Sequence, residues 1–210
     1  MSSPARPRDA VATRQTILDA AEIQFAQAGY AGARIDEIAR ASGYNKSLIF
    51  QYFGDKEGLY RAVMARCRET SDAAFRAAIR AEVVLEMPLT TDLLRATLKQ
   101  SVEWVFDHFV AHPNYLKLFS WEMALGWQVF HASGQELEPS FQFGLAMLRR
   151  AKAEGLIRAD LEPETIVANV LNLPFMTLAG EARFQDLRRG SDLEHLRAQT
   201  VQFVLGAVLE

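Results

Sequence analysis

The sequence predicts an all-α protein, on three observations. Apolar residues recur at helical period through most of the chain, while no stretch beyond about residue 70 sustains period-two alternation. β-branched residues are sparse in that part. The interruptions are Pro88, Pro113, Gly134, the run from Gly155 to Pro163, and Gly190 with Ser191, all residues that start or stop helices. Half of the 210 residues are hydrophobic, enough for a sizeable core and too many for a disordered chain.

Residues 1–9, rich in Pro, Ser and Arg, are expected to form a disordered arm with Arg6 and Arg8 available to phosphate. A first helix is expected over about 10–28, where Ile17, Leu18, Ala21 and Phe25 make a core-facing stripe. Gly29 ends it and Tyr30 packs just beyond. Residues 35–53 hold two short apolar faces, one of Ile35, Ile38 and Ala39, the other of Leu48, Ile49, Tyr52 and Phe53. Gly43 lies between them, where a tight bend needs positive φ or close packing, and Asn45 is a natural N-cap. Two short helices joined through a glycine turn form a helix-turn-helix, whose second helix usually reads the DNA major groove. Asp55 caps a fourth helix from about Lys56, with Leu59, Tyr60, Val63 and Met64 facing inward. Further helices are expected at about 70–83, 89–112, 113–131, 136–155, 162–183 and 191–209.

Lys46, Ser47 and Gln51 fall on the outer face of the second helix of the motif. Lysine neutralises phosphate, serine donates to phosphate or base, and glutamine pairs with an adenine edge through two bonds. An ordinary helical hairpin with a solvated polar face has the same spacing, so the flanking residues decide. The run from Thr13 to Tyr30, Ile35-Asp-Glu-Ile-Ala39, and Tyr52-Phe-Gly-Asp-Lys-Glu-Gly-Leu59 together resemble the N-terminal domain of the TetR family of transcriptional regulators. The resemblance covers about residues 11–65. Beyond it there is only helical architecture and a helix–loop–helix join at 153–164 of the kind found in many bodies of that family.

This resemblance implies an all-helical dimer with a DNA-binding head and a ligand-responsive body, most often a repressor. It divides the chain into the arm at 1–9, a helix-turn-helix DNA-binding domain at 10–56 and a ligand-binding and dimerisation domain at 57–210. It makes Asn45, Lys46, Ser47 and Gln51 the recognition surface, with Tyr52 and Lys56 at recurrent phosphate-contacting positions. Thr13 and Arg14 resemble further backbone contacts near a helix N-terminus, where anions are favoured. Three residues depart from the pattern. Phe50 stands where tyrosine is common, losing a hydroxyl but able to touch a thymine methyl. Arg34 replaces a small capping residue, a loss of about 1 kcal/mol, and adds a possible phosphate contact. Tyr44 replaces a small aliphatic residue in the turn.

The net charge of −3 does not suggest a nucleic-acid binder, but its distribution does. Residues 1–68 carry ten Lys and Arg against seven Asp and Glu, and residues 69–210 carry thirteen against nineteen. A basic head on an acidic body puts positive potential where phosphate docks. The single cysteine, Cys67, forms no internal disulfide and suits a reducing cytoplasm. No apolar run reaches the roughly 18 residues of a membrane span, and no secretory signal is present, so a cytoplasmic protein without membrane association is expected.

Aromatic residues crowd the body from Trp104 to Phe143. Such residues at helical spacing usually fill a core, yet with the family resemblance they suggest a pocket for a small hydrophobic or aromatic effector. The candidate lining is Trp104, His108, Phe119, Trp121, Met123, Trp127 and Phe175. His108, His112 and His131 invite a metal reading, but His112 precedes Pro113 and nothing completes a site; no metal and no other cofactor is expected. No nucleophile motif, P-loop or dinucleotide fingerprint occurs, so the chain is not expected to be an enzyme. The last two helices are apolar beyond the needs of a small core, and a homodimeric four-helix bundle would bury the excess through Val167, Leu171, Leu178, Val201, Val204, Leu205 and Val208. The alternative class is a helical small-molecule-binding protein whose head no longer binds DNA specifically.

Overall fold

The computed structural model describes residues 7–127, 137–184 and 192–209, and among these every regular element is a helix. The chain folds into two compact units, one of residues 1–69 with 114–134 and one of residues 70–113 with 135–210. This division is not the expected cut after residue 56. The helix that starts at Lys56 runs through it without a break, and a helix far along the chain joins the N-terminal unit.

The first unit contains α1 (Pro7–Gly32), α2 (Ile35–Ser42), α3 (Lys46–Phe53), the first half of α4 (Lys56–Ile79), and α7 (Pro113–Ala124). The first helix begins at Pro7, inside the stretch expected to be a disordered arm, because proline is favoured at a helix start. Residues 1–6 lie outside the described part. Gly29 breaks the helical path at φ +65°, as the sequence suggests, although the helix as a whole extends to Gly32. Ile17, Leu18 and Phe25 from α1, Ile38 from α2, Ile49 from α3 and Leu59 from α4 are fully buried in one cluster. Leu118 of α7 completes it. Each such side chain contributes about 1.5–3 kcal/mol when taken from water.

The second unit contains the rest of α4, α5 (Ala81–Glu86), α6 (Thr91–Ala111), α8 (Pro139–Ala153), α9 (Pro163–Ala179), α10 (Glu181–Phe184) and α11 (Leu193–Val208). α6 packs against α9 and α11, and α9 also packs against α8. Where a separate helix over 70–83 is expected, α4 continues to Ile79 and ends at Arg80, whose φ of 55° is left-handed for a non-glycine residue. No glycine or proline marks that break, so the sequence does not announce it. α7 ends at Ala124, short of the expected 131, where Gly126 turns the chain at φ +71°.

The expected dimer stripe needs correction. Val201, Val204, Leu205 and Val208 are all buried inside the chain itself, on the face of α11 that meets α6 and α9. Val167, Leu171 and Leu178 are half-buried, and Val167 lies against Gly144 of α8. An apolar stripe shows that a face is covered, and here the chain's own helices cover it. The exposed large apolar side chains of α9 and α11 are different ones, Met176 at 52 %, Leu193 at 48 % and Phe203 at 67 % exposed.

Candidate nucleic-acid interface

Local hydrogen bonding sets the reading helix in place. Asn45 is the N-cap of α3 and its Oδ1 accepts from the Leu48 amide at 2.8 Å. Gly43 adopts φ 75°, ψ 9° at the end of α2, and a Cβ there would meet nothing within 4 Å. Of the two reasons to expect glycine, positive φ is therefore the one that applies. Arg34 caps α2 with no side-chain bond, consistent with the loss read from its sequence. Asp55 caps α4 through the Gly58 amide at 2.7 Å.

Lys46, Ser47, Phe50 and Gln51 are exposed together on α3, with Phe50 41 % exposed although it is a large aromatic. The Lys46 ammonium pairs with Asp36 of α2 at 2.6 Å. Both partners are largely exposed, so the pair is worth about 0–1 kcal/mol and yields readily to a competing phosphate. Lys56 donates to the Ala31 carbonyl at 3.2 Å and lies 4.9 Å above the Tyr30 ring, while partial burial lowers its pKa. The Arg14 guanidinium is 5.3 Å from the Phe53 ring centre, which holds it near the end of α3 by cation–π attraction. Tyr52 is half-buried beside Phe53. Thr13 is the seventh residue of α1, so the helix N-terminus explains nothing about it. Its hydroxyl donates instead to the Tyr44 hydroxyl at 3.4 Å.

The candidate effector residues fall in different units. Phe119, Trp121, Met123 and Trp127 belong to the first, and Trp104, His108 and Phe175 to the second. Phe119 is buried with the Trp127 ring edge-on at 4.5 Å. Trp121 lies over Gly29, where a Cβ would come within 2.9 Å of the indole, and its Nε1 donates to the Ala26 carbonyl at 3.3 Å. Met123 is exposed. Beside them, Tyr60 donates to Glu122 at 2.8 Å with both side chains fully buried, and burial followed by the carboxylate raises the Tyr60 pKa. Arg66 adds a second tie from α4 to α1, bridging Asp19 at 2.5 Å and Glu22 at 2.6 Å. The Tyr60–Glu122 pair was missed by sequence reasoning. Its signal is a glutamate one turn from Leu118 and Phe119, on the otherwise apolar buried face of its helix.

In the second unit Trp104 stacks on His108 with ring centres 4.5 Å apart, and Phe75 meets Trp104 edge-on. The His108 Nε2 is 2.8 Å from the Ser71 hydroxyl. Burial, then the neighbouring His112, lowers the His108 pKa to about 4, so its ring is neutral at pH 7. Phe175 is buried against Phe109 as a core residue. Among the described residues no three His, Cys, Asp or Glu side chains cluster to hold a metal; His131 lies outside them. Burial, then Glu22, pushes the Cys67 thiol up to about 12, which makes it a poor nucleophile. No described helix is long and apolar enough to cross a membrane.

Comparison with known proteins agrees with this geometry. The family model for bacterial regulatory proteins of the tetR family matches residues 17–63, and that for a tetracyclin repressor-like C-terminal domain matches residues 98–205. The HTH-type transcriptional repressor NicS of Pseudomonas putida is 30 % identical over 161 residues, 74 % of this chain and 71 % of its own length. The HTH-type transcriptional repressor SCO4008 of Streptomyces coelicolor is 32 % identical over 115 residues, 55 % of this chain and about half, 52 %, of its own length. The crystal structure of SCO4942 from Streptomyces coelicolor superposes with a TM-score of 0.66 at 26 % identity, covering 93 % of this chain and 98 % of that one.

Proposed function

The chain belongs to the TetR family of bacterial transcriptional regulators, and from that premise we propose that it is a ligand-responsive repressor that binds a palindromic operator as a homodimer. The observation that carries the reading is the capped α3, which presents Lys46, Ser47, Phe50 and Gln51 together to solvent. Residues 10–56 supply the DNA-reading helices, carried on the unit that also holds the first half of α4 and α7, and the second unit supplies effector binding and dimerisation. Two such helices, one per subunit, enter successive major-groove faces about one helical turn apart. Arg14, Arg34, Tyr52 and Lys56 serve the flanking phosphates.

The effector is a small hydrophobic or aromatic molecule received beside Trp104 and His108, where a half-buried aromatic stack adjoins the Ser71 hydroxyl. Its binding acts on DNA through α4, which runs unbroken from one unit into the other. The Tyr60–Glu122 bond and the Trp121 contact with Gly29 tie α4, α7 and α1 together, so the reading unit shifts as one body. A typical coupling between two such sites is about 1–3 kcal/mol. Dimerisation uses the exposed side of α9 and α11, with Met176 and Phe203 as its apolar centre.

Selection of bound duplexes from a random pool tests the reading. A recovered palindrome, lost when Lys46 and Gln51 are both replaced by alanine, is the expected result. A pool without enrichment, in the presence and absence of cell extract, favours the alternative of a head that no longer reads DNA. Phe203→Glu should convert the dimer to monomer in light scattering; a dimer that persists unchanged moves the interface elsewhere.

A further inference from the structure

Tyr44 lies in the turn between α2 and α3. Its ring packs against the buried cluster of the first unit, which fixes its direction. Its hydroxyl meets Thr13 at 3.4 Å and so joins the first helix to the residue immediately before the cap of the reading helix. Two hydroxyls share one proton between them, so the pair keeps a second O–H to give away. Both residues are half-buried, leaving the pair accessible. In helix-turn-helix docking the first helix of the motif, here α2, crosses the sugar–phosphate backbone and the start of the second enters the groove; Tyr44 lies in the turn between those two helices, and Thr13 brings α1 up to that turn.

From this placement we infer that Thr13 and Tyr44 form one neutral hydroxyl clamp that donates to a DNA phosphate at the edge of the groove and sets the entry angle of α3. The inference rests on the DNA-binding reading above. The clamp positions the protein and reads no base, so its contribution is the same on every sequence. It also explains why a bulky tyrosine occupies the turn: an aliphatic residue fills the space but donates nothing.

The test compares wild type, Tyr44→Phe, Thr13→Val and the double variant on a selected duplex and on a mixed-sequence duplex, with the thermal midpoint measured for each. Tyr44→Phe keeps the ring and removes only the oxygen. The expected result is about ten- to a hundredfold weaker binding on both duplexes with an unchanged midpoint, the range for one hydrogen bond to a charged acceptor. The double variant should lose little more than the worse single one, because the two hydroxyls act as a unit. Unchanged binding by Tyr44→Phe overturns the clamp and leaves the DNA-binding reading intact. So does a lowered midpoint that accounts for the whole loss, since the hydroxyl would then only pin α1 to the turn. Wild type that binds neither duplex overturns both.

Discussion

The two units are both helical, but they differ in where their most deeply buried polar groups find partners. In the first, the central polar contact runs between helices distant in sequence: Tyr60 of α4 donates to Glu122 of α7, and both lose all contact with solvent. In the second, the buried hydroxyls of Thr97, Ser101 and Thr200 each donate to the carbonyl four residues earlier in their own helix, at 2.8 Å. A bond between helices penalises separation, because the buried donor or acceptor is orphaned. A hydroxyl satisfied within its own helix leaves that helix free to slide against its neighbours. The fully buried cross-helix bond is thus a feature of the first unit, whereas the cross-helix ties of the second, Arg197 to Glu103 and Asp107 and the Ser140 amide to Asp72, lie nearer its surface.

Gly29→Ala should give the largest effect. The new Cβ meets a left-handed backbone and the Trp121 ring at once, and about 3 kcal/mol should be lost in denaturant unfolding. Trp121→Ala in the same chain should recover part of that loss; full additivity would mean the indole is not a rigid neighbour. A smaller gap should separate Tyr60→Phe from Thr97→Val. The first leaves Glu122 without its phenol donor and should cost about 2 kcal/mol, the second less than about 1 kcal/mol. Equal costs would break the contrast between the units.

A further effect is a pH dependence. The His108 pKa of about 4 in the folded chain lies below the ordinary value of 6.5, so the unfolded chain binds the extra proton first. Stability should be full above pH 6.5 and should fall as pH drops toward 4. His108→Gln should remove that part of the slope, and an identical slope in wild type and variant would refute it.

Local chemistry was legible in the sequence and partner choice was not. Asn45, Gly43 and Asp55 act through bonds or dihedrals within four residues, so residue type and spacing reveal them. Leu59, Tyr60, Val63 and Met64 show their inward face through helical period alone. Val201 and Val204 show equally that they are covered, but only the fold says that α6 and α9 cover them. Trp121 and Phe119 looked like pocket lining because an aromatic side chain does not announce whether it meets a guest or a neighbouring helix. The end of α4 at Arg80 carries no breaker, and tertiary packing decides it.

The Asp36–Lys46 pair gives the reading helix a tethered counterion. In the proposed complex with any duplex, Lys46 would exchange one anion for another of equal sign. On bulk DNA, where backbone contacts are all there is, the swap gains little. On an operator, the base contacts proposed for Ser47 and Gln51 would add to an exchange already near balance. A neutral residue in place of Asp36 would leave a protein that holds operator and bulk DNA more tightly by the same factor, because the carboxylate opposes the Lys46 contact equally on every duplex and leaves the ratio of the two affinities unchanged.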